Sequence, residues 1–237
     1  MPDLAGAAWP ELPERPLLVV PLGSVEQHGH HLPLATDTVV AEAVVREAVV
    51  REAVVRGAGL DAVVAPAVPY GASGEHEGFP GTVSIGTAAL TTLLVEYGRS
   101  ACRWARRLLV VNGHGGNLDA LRAAVPLLRA EGRDAAWFPC GVAGGDAHAG
   151  RTETSLLLHV EPGGVRTDRS VPGETAPIAE LLPRLRAEGV LGVSPTGVLG
   201  DPAGASAEEG ARLLAGIAAR LTTAVARWDV GDDGRLR

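Results

Sequence analysis

The chain alternates short unbroken apolar runs with longer amphipathic segments. The runs Leu17 to Pro21, Ala62 to Val68, Arg107 to Val111 and Ala135 to Pro139 have the length and valine content of buried strands. The longer segments predict helices over about Thr38 to Arg56, Thr87 to Arg106, Asn117 to Glu131 and Thr152 to Val160. Two more are predicted near Ala176 to Glu188 and Ser206 to Trp228, with Thr36 or Asp37 as a cap for the first helix of the chain. Strands alternating with helices predict a mostly parallel sheet covered on both faces.

The polar residues are distributed unevenly between the two kinds of connection. Every strand-to-helix loop is rich in glycine and in imidazole or carboxylate: Glu26 and His28 after the first strand, Glu75 and His76 after the second, His114 after the third, His148 after the fourth. The connections that return from helix to strand, such as Gly57 to Asp61 and Glu131 to Asp134, are short and bland. Parallel sheets bind ligands beyond the carboxyl ends of their strands. The pattern therefore gathers six of the seven histidines on the edge where a site belongs.

The first long helix contains a repeat, Glu-Ala-Val-Val-Arg, at Glu42 to Arg46, Glu47 to Arg51 and Glu52 to Arg56. Five residues advance an α-helix by about 500°, so successive copies are rotated by roughly 140°. The repeated valines cannot share one face. Some of Val49, Val50, Val54 and Val55 are expected to be exposed or to meet a partner subunit.

Composition narrows the function classes. At 237 residues the chain is expected to form a single domain over 1–237, with Gly231 to Arg237 as a mobile tail. A net charge of −7, with no basic block, gives no support to nucleic-acid binding. No apolar run reaches membrane-span length, and Met1 to Glu14 lacks a signal-peptide pattern. The two cysteines, Cys102 and Cys140, have no metal-motif spacing and read as reduced thiols of a cytoplasmic protein.

Glu26, His28, Asp37, His114 and Glu153 form a candidate ligand set. Oxygen ligands mixed with imidazole suit zinc, ferrous iron or manganese. A dinuclear centre would place Asp37 between two divalent ions about 3.5–4 Å apart. His148 is the candidate to pass a proton to a leaving nitrogen, with Glu153 beside it as a second catalytic group. Glu75, His76, Tyr70, Phe79 and Trp137 are candidates to contact substrate, although the aromatics read equally well as core. Taken singly each feature has a plainer reading: Asp37 as a helix cap, His114 as a turn residue, His31 as merely near the site, His159 as structural. The loop Asn112 to Asn117 is not a phosphate-binding P-loop, since no Gly-Lys-Ser/Thr follows.

Together these stretches resemble the creatininase (creatinine amidohydrolase) family. The likeness rests on Gly23-Ser24-Val25-Glu26-Gln27-His28-Gly29 with Asp37 and on Glu75-His76 through Phe79-Pro80-Gly81-Thr82. It also rests on Asn112-Gly113-His114-Gly115-Gly116-Asn117 and on His148-Ala149-Gly150 with Glu153-Thr154-Ser155. The resemblance implies a three-layer α/β/α fold, two divalent metal ions, hydrolysis of amide C–N bonds and a homo-oligomer. By position, Glu26, His28, Asp37 and His114 match family metal ligands and His148 a catalytic histidine. Creatininase proper has an acidic ligand two residues after the Asn-Gly-His histidine, where this chain has Gly116; Glu153 is assigned to that vacancy. The stretches Gly145 to Ser155 and Ser194 to Ser206 point to a peptidase branch that cleaves a modified precursor peptide and releases its C-terminal valine–tyrosine-derived unit. The alternatives are another amidohydrolase of the family, acting on a cyclic amide or a nucleotide-precursor formamide, and a non-catalytic metal-binding protein.

Overall fold

The computed structural model describes residues 3–50 and 61–237. Its centre is a sheet of β1 (Leu17–Leu22), β2 (Ala62–Val64), β3 (Arg107–Asn112) and β4 (Ala135–Pro139). The strands run parallel in the order β2-β1-β3-β4. Strands covered on both faces need apolar side chains at every position, which is why their sequences do not alternate. Leu17, Val19, Leu109, Val111, Ala136 and Phe138 face one core. Leu18, Val20, Leu22, Leu108, Val110, Ala135 and Trp137 face the other.

The first core is covered by α1 (Thr36–Val50), α4 (Arg151–Val160) and α6 (Ala207–Arg227). The second is covered by α2 (Gly86–Ala101) and α3 (Leu118–Ala130), giving three layers, α/β/α. A further helix, α5 (Ile178–Val193, kinked at Gly189), packs Leu181, Val190 and Val193 against Leu199 and Phe79. The predicted helix Thr38 to Arg56 is seen as far as Val50. The side chains of Val49 and Val50, with the whole of 51–60, fall outside the described residues, and the expectation about the repeated valines falls there too.

Proline explains one boundary. The expected second strand, Ala62 to Val68, keeps regular pairing only as far as Val64: Ala65 N–H still donates to the Val19 carbonyl at 2.9 Å, but the Ala65 carbonyl then faces Pro21, which has no N–H to return. Val68 rejoins by donating to the Pro21 carbonyl at 2.9 Å. The N–H and C=O of one residue in a strand point to the same side, so the donor that Pro21 lacks is the next rung of this ladder, while Pro66 faces away from β1.

The C-terminal segment differs from expectation. Instead of a mobile tail, Gly231 to Arg237 docks along the outer edge of β4. Trp137 N–H donates to the Gly234 carbonyl at 3.0 Å, and Leu236 N–H returns to the Trp137 carbonyl at 2.9 Å. Leu236 is 1% exposed. One well-placed leucine and a strand edge in need of partners are enough to hold it.

Candidate metal centre

Four loops meet beyond the carboxyl ends of the strands. The loop after β1 contributes Glu26, Gln27 and His28, and α1 contributes Asp37 from its first turn. A short 3-10 turn, Gly74–His76, brings in Glu75 and His76, and the end of β3 leads to His114. The loop after β4 carries His148, and α4 carries Glu153 in its first turn. Asp146 fastens that last piece, its carboxylate accepting from the N–H groups of Arg151 and Thr152. Glu153 in turn accepts from Ala149 N–H at 2.6 Å, across a residue held at φ +52°.

Glu26 lies at the centre and is fully buried. Around it stand His114 Nε2 at 3.2 Å, His76 Nε2 at 3.4 Å and His148 Nδ1 at 3.7 Å. Asp37 presents Oδ1 to His28 Nε2 and Oδ2 to His114 Nδ1, each at 3.3 Å. Glu153 Oε2 lies 3.9 Å from His28 Nε2, and Glu75 Oε1 lies 3.5 Å from His114 Nε2. His28 Nδ1 donates to the Glu26 carbonyl at 3.1 Å, which turns its Nε2 toward the carboxylates.

The carboxylates are close to imidazole nitrogens yet poorly hydrogen-bonded. Both Glu26 oxygens and Asp37 Oδ2 are buried without a hydrogen-bond partner. An ionised carboxylate taken out of water needs donors or a cation, and an unpaired one costs several kcal/mol or more. Oxygens and nitrogens that converge without bonding one another are arranged for an ion between them. Among the described residues, donor atoms within 4.8 Å of one another occur in the sets Glu26/His28/Asp37, Glu26/His76/His148 and His28/His148/Glu153. His114 stands outside these sets because it offers opposite nitrogens to Glu26 and Asp37.

Burial and mutual charge set the protonation of the group. Burial would raise the Glu26 carboxyl, but His114, His76 and His28 hold it well below the usual carboxylate range. Burial would lower His28, yet Asp37, Glu153 and Glu26 bring it up to about 9. His114 is likewise raised, Glu26 and Asp37 outweighing its burial. His76 falls to about 4, chiefly from burial, and His148 is lowered by burial and by His28 and His76. Glu153 rises to about 7, again mainly from burial.

The structure thus brings Glu26, His28, Asp37, His114, His148 and Glu153 into one cluster, with Glu75 at its edge. His76, which the sequence suggested as a substrate contact, stands in the inner ring. Phe79 packs against the α5 cluster, and Tyr70 is 46% exposed on the loop that also carries Ala72, whose carbonyl lies 3.2 Å from His114 Nε2. Trp137 is a correction: it is 1% exposed within the second core and donates Nε1–H to the Asp233 carbonyl, so it cannot touch a substrate. His31 is buried against Thr154 Oγ1 at 2.9 Å, while His30 and His159 are exposed. Gln27 was missed altogether, although its place between Glu26 and His28 marked it.

A three-layer parallel fold with buried acids and imidazoles at the strand ends is the architecture of a metal-dependent hydrolase. The sequence matches the creatininase (creatinine amidohydrolase) family over residues 5–225, and the chain belongs to that family. It is 59% identical over 221 residues to a mycofactocin precursor peptide peptidase of Mycolicibacterium smegmatis, covering 93% of this chain and 89% of the relative. Among solved structures it is similar to a Zn–Zn form of a creatininase mutant, with TM-score 0.75, 27% identity and coverage of 95% of this chain and 97% of that one. It is similar also to a manganese creatininase, with TM-score 0.74, 27% identity and coverage of 95% and 98%.

Proposed function

We propose that this chain, acting as one creatininase-like domain, cleaves the modified mycofactocin precursor peptide by metal-assisted amide hydrolysis and releases its C-terminal valine–tyrosine-derived unit. The observation that carries the reading is the set of buried Glu26 and Asp37 oxygens left without hydrogen bonds inside a ring of imidazoles. Glu26, His28, Asp37, His114 and Glu153 would hold the divalent ions, zinc, ferrous iron and manganese all suiting such ligands. The ions, when bound, polarise the amide carbonyl and make water ionise near neutral pH. His148, neutral in its buried place, takes a proton from the attacking water and gives it to the departing nitrogen. Glu153, brought to about 7 mainly by burial, would be held ionised by the ion it binds. Glu75, His76, Tyr70 and Phe79 form the wall that meets the peptide.

The reading includes a cytoplasmic homo-oligomer. Free Cys102 and Cys140 are at home in a reducing compartment, and Trp9, 85% exposed, suits a subunit contact. No helix among the described residues is long and apolar enough to cross a membrane. The test is incubation with modified precursor peptide, with and without a chelator, followed by mass analysis. Chelator-sensitive release of the C-terminal unit is expected. An intact peptide alongside hydrolysis of small cyclic amides or formamides would assign the chain to another activity of the family.

A further inference from the structure

Gln27 is buried between the two ligand-bearing residues of the β1 loop, and its carboxamide reaches three other loops. Oε1 accepts from Gly29 N–H at 2.8 Å, which fixes the orientation of the amide. Nε2 lies 2.9 Å from His76 Nδ1, 2.9 Å from the Gly197 carbonyl and 3.0 Å from His148 Nε2. The loop at Gly197 closes tightly here: a Cβ at that position would run into Gln27 Oε1.

An NH₂ group has two hydrogens and here has three neighbours. The Gly197 carbonyl can only accept, so it takes one. His148 Nε2 lies 2.8 Å from the Gln27 main-chain carbonyl, another pure acceptor, so that nitrogen carries its own hydrogen and cannot accept from the amide. The second amide hydrogen therefore goes to His76 Nδ1, which must present a lone pair. His76 then carries its hydrogen on Nε2, facing Glu26 Oε1, while His148 turns a bare Nδ1 toward the same oxygen. The two rings are 4.4 Å apart and offer the centre opposite polarity, one a donor and one an acceptor.

We propose that Gln27 is a positioning residue that assigns these hydrogens, making His148 Nδ1 the proton acceptor and keeping the His76 Nε2–H turned to the Glu26 carboxylate. This rests on the amide-hydrolase reading. As the water O–H bond breaks and the O–C bond forms, the proton goes to His148 Nδ1. As the C–N bond breaks, the same proton passes to the departing nitrogen, and His148 is regenerated.

The test measures long-range imidazole ¹⁵N–¹H correlations in the zinc-loaded full-length protein and again after chelation, beside turnover. Wild type should show His76 and His148 both protonated at Nε2. Gln27→Glu puts an oxygen where the NH₂ stood, and should move the His76 hydrogen to Nδ1 with at least a hundredfold loss of kcat at unchanged metal content. Gln27→Met, of similar length and without hydrogens, should leave His76 a mixture of tautomers, and carries the test if the glutamate variant fails to fold. A wild-type His76 protonated at Nδ1, or variants that keep the Nε2–H signature, would overturn the assignment. The spectra decide this whatever the substrate proves to be, so failure of the peptidase reading is scored separately by the mass analysis.

Discussion

Glu75 Oε1 stands where a side chain on Gly116 would begin. A Cβ at position 116 would fall 2.6 Å from that oxygen, and would also press on His114 Nε2 and the Ala72 carbonyl. The acid that creatininase proper carries at this point therefore has no room here. A carboxylate reaches His114 instead from the loop after β2, on Glu75. The Ala72 carbonyl is backbone and cannot swing aside, so even Gly116→Ala should displace His114. We expect that variant to lose at least tenfold in activity and to bind metal weakly, as read by metal analysis of the purified protein. Full metal content with an unchanged rate would show that the two loops separate at little cost.

His148 and Glu26 should fail in different ways when truncated. General acid–base groups contribute about 10²- to 10⁴-fold, so His148→Ala should lose turnover on that scale. Its metal content should stay close to wild type, because Glu26, His28, Asp37, His114 and Glu153 all remain. Glu26→Ala removes the central carboxylate and should abolish both metal and activity. Paired measurements of kcat and bound metal separate the two residues; a His148→Ala protein stripped of metal would make His148 a ligand.

The legible part of this protein was periodic or repeated. Unbroken apolar runs gave the strands, and polar loops recurring after each of them gave the edge on which Glu26, His28, His114 and His148 meet. Tertiary approach was not legible. Trp137 is the middle residue of β4, and nothing in its neighbours says that the C-terminal segment will cover it. Leu236 is a single apolar residue in a polar tail, too weak a pattern to predict burial. Gly116 read as a missing ligand replaced by Glu153; the structure sets Glu75 Oε1 against Gly116 and places Glu153 beside His28. Gln27 was not singled out because its role depends on Gly197 and His76, which only folding brings near.

The docked terminus should matter to stability. Leu236 is 1% exposed and packs in the first core, and replacing a buried leucine by alanine costs about 2–5 kcal/mol. Leu236→Ala should lower the urea midpoint accordingly, with Trp137 fluorescence shifting early in the transition as its edge becomes wet. An unchanged midpoint would mean that the segment rests on β4 without contributing to the fold.

Metal removal should leave a protein that weakens as pH rises above neutrality. His28 has its folded-state value near 9, and His114 is also raised, against about 6.5 for an unfolded histidine. A raised value means that the folded state binds more protons, so the contribution is complete below about 6.5 and is lost as pH climbs through 9. For fully buried His28 alone this is on the order of 3 kcal/mol. His76 and His148, with lowered values, titrate below this window, and Glu26 is already ionised. Chelated protein should therefore melt at a clearly lower temperature at pH 9 than at pH 7. Metal-loaded protein should reverse the trend, because coordination displaces these protons and tightens as they leave. Calorimetric scans of both forms at the two pH values provide the check, and a chelated protein equally stable at each would mean that its histidines hold no such protons.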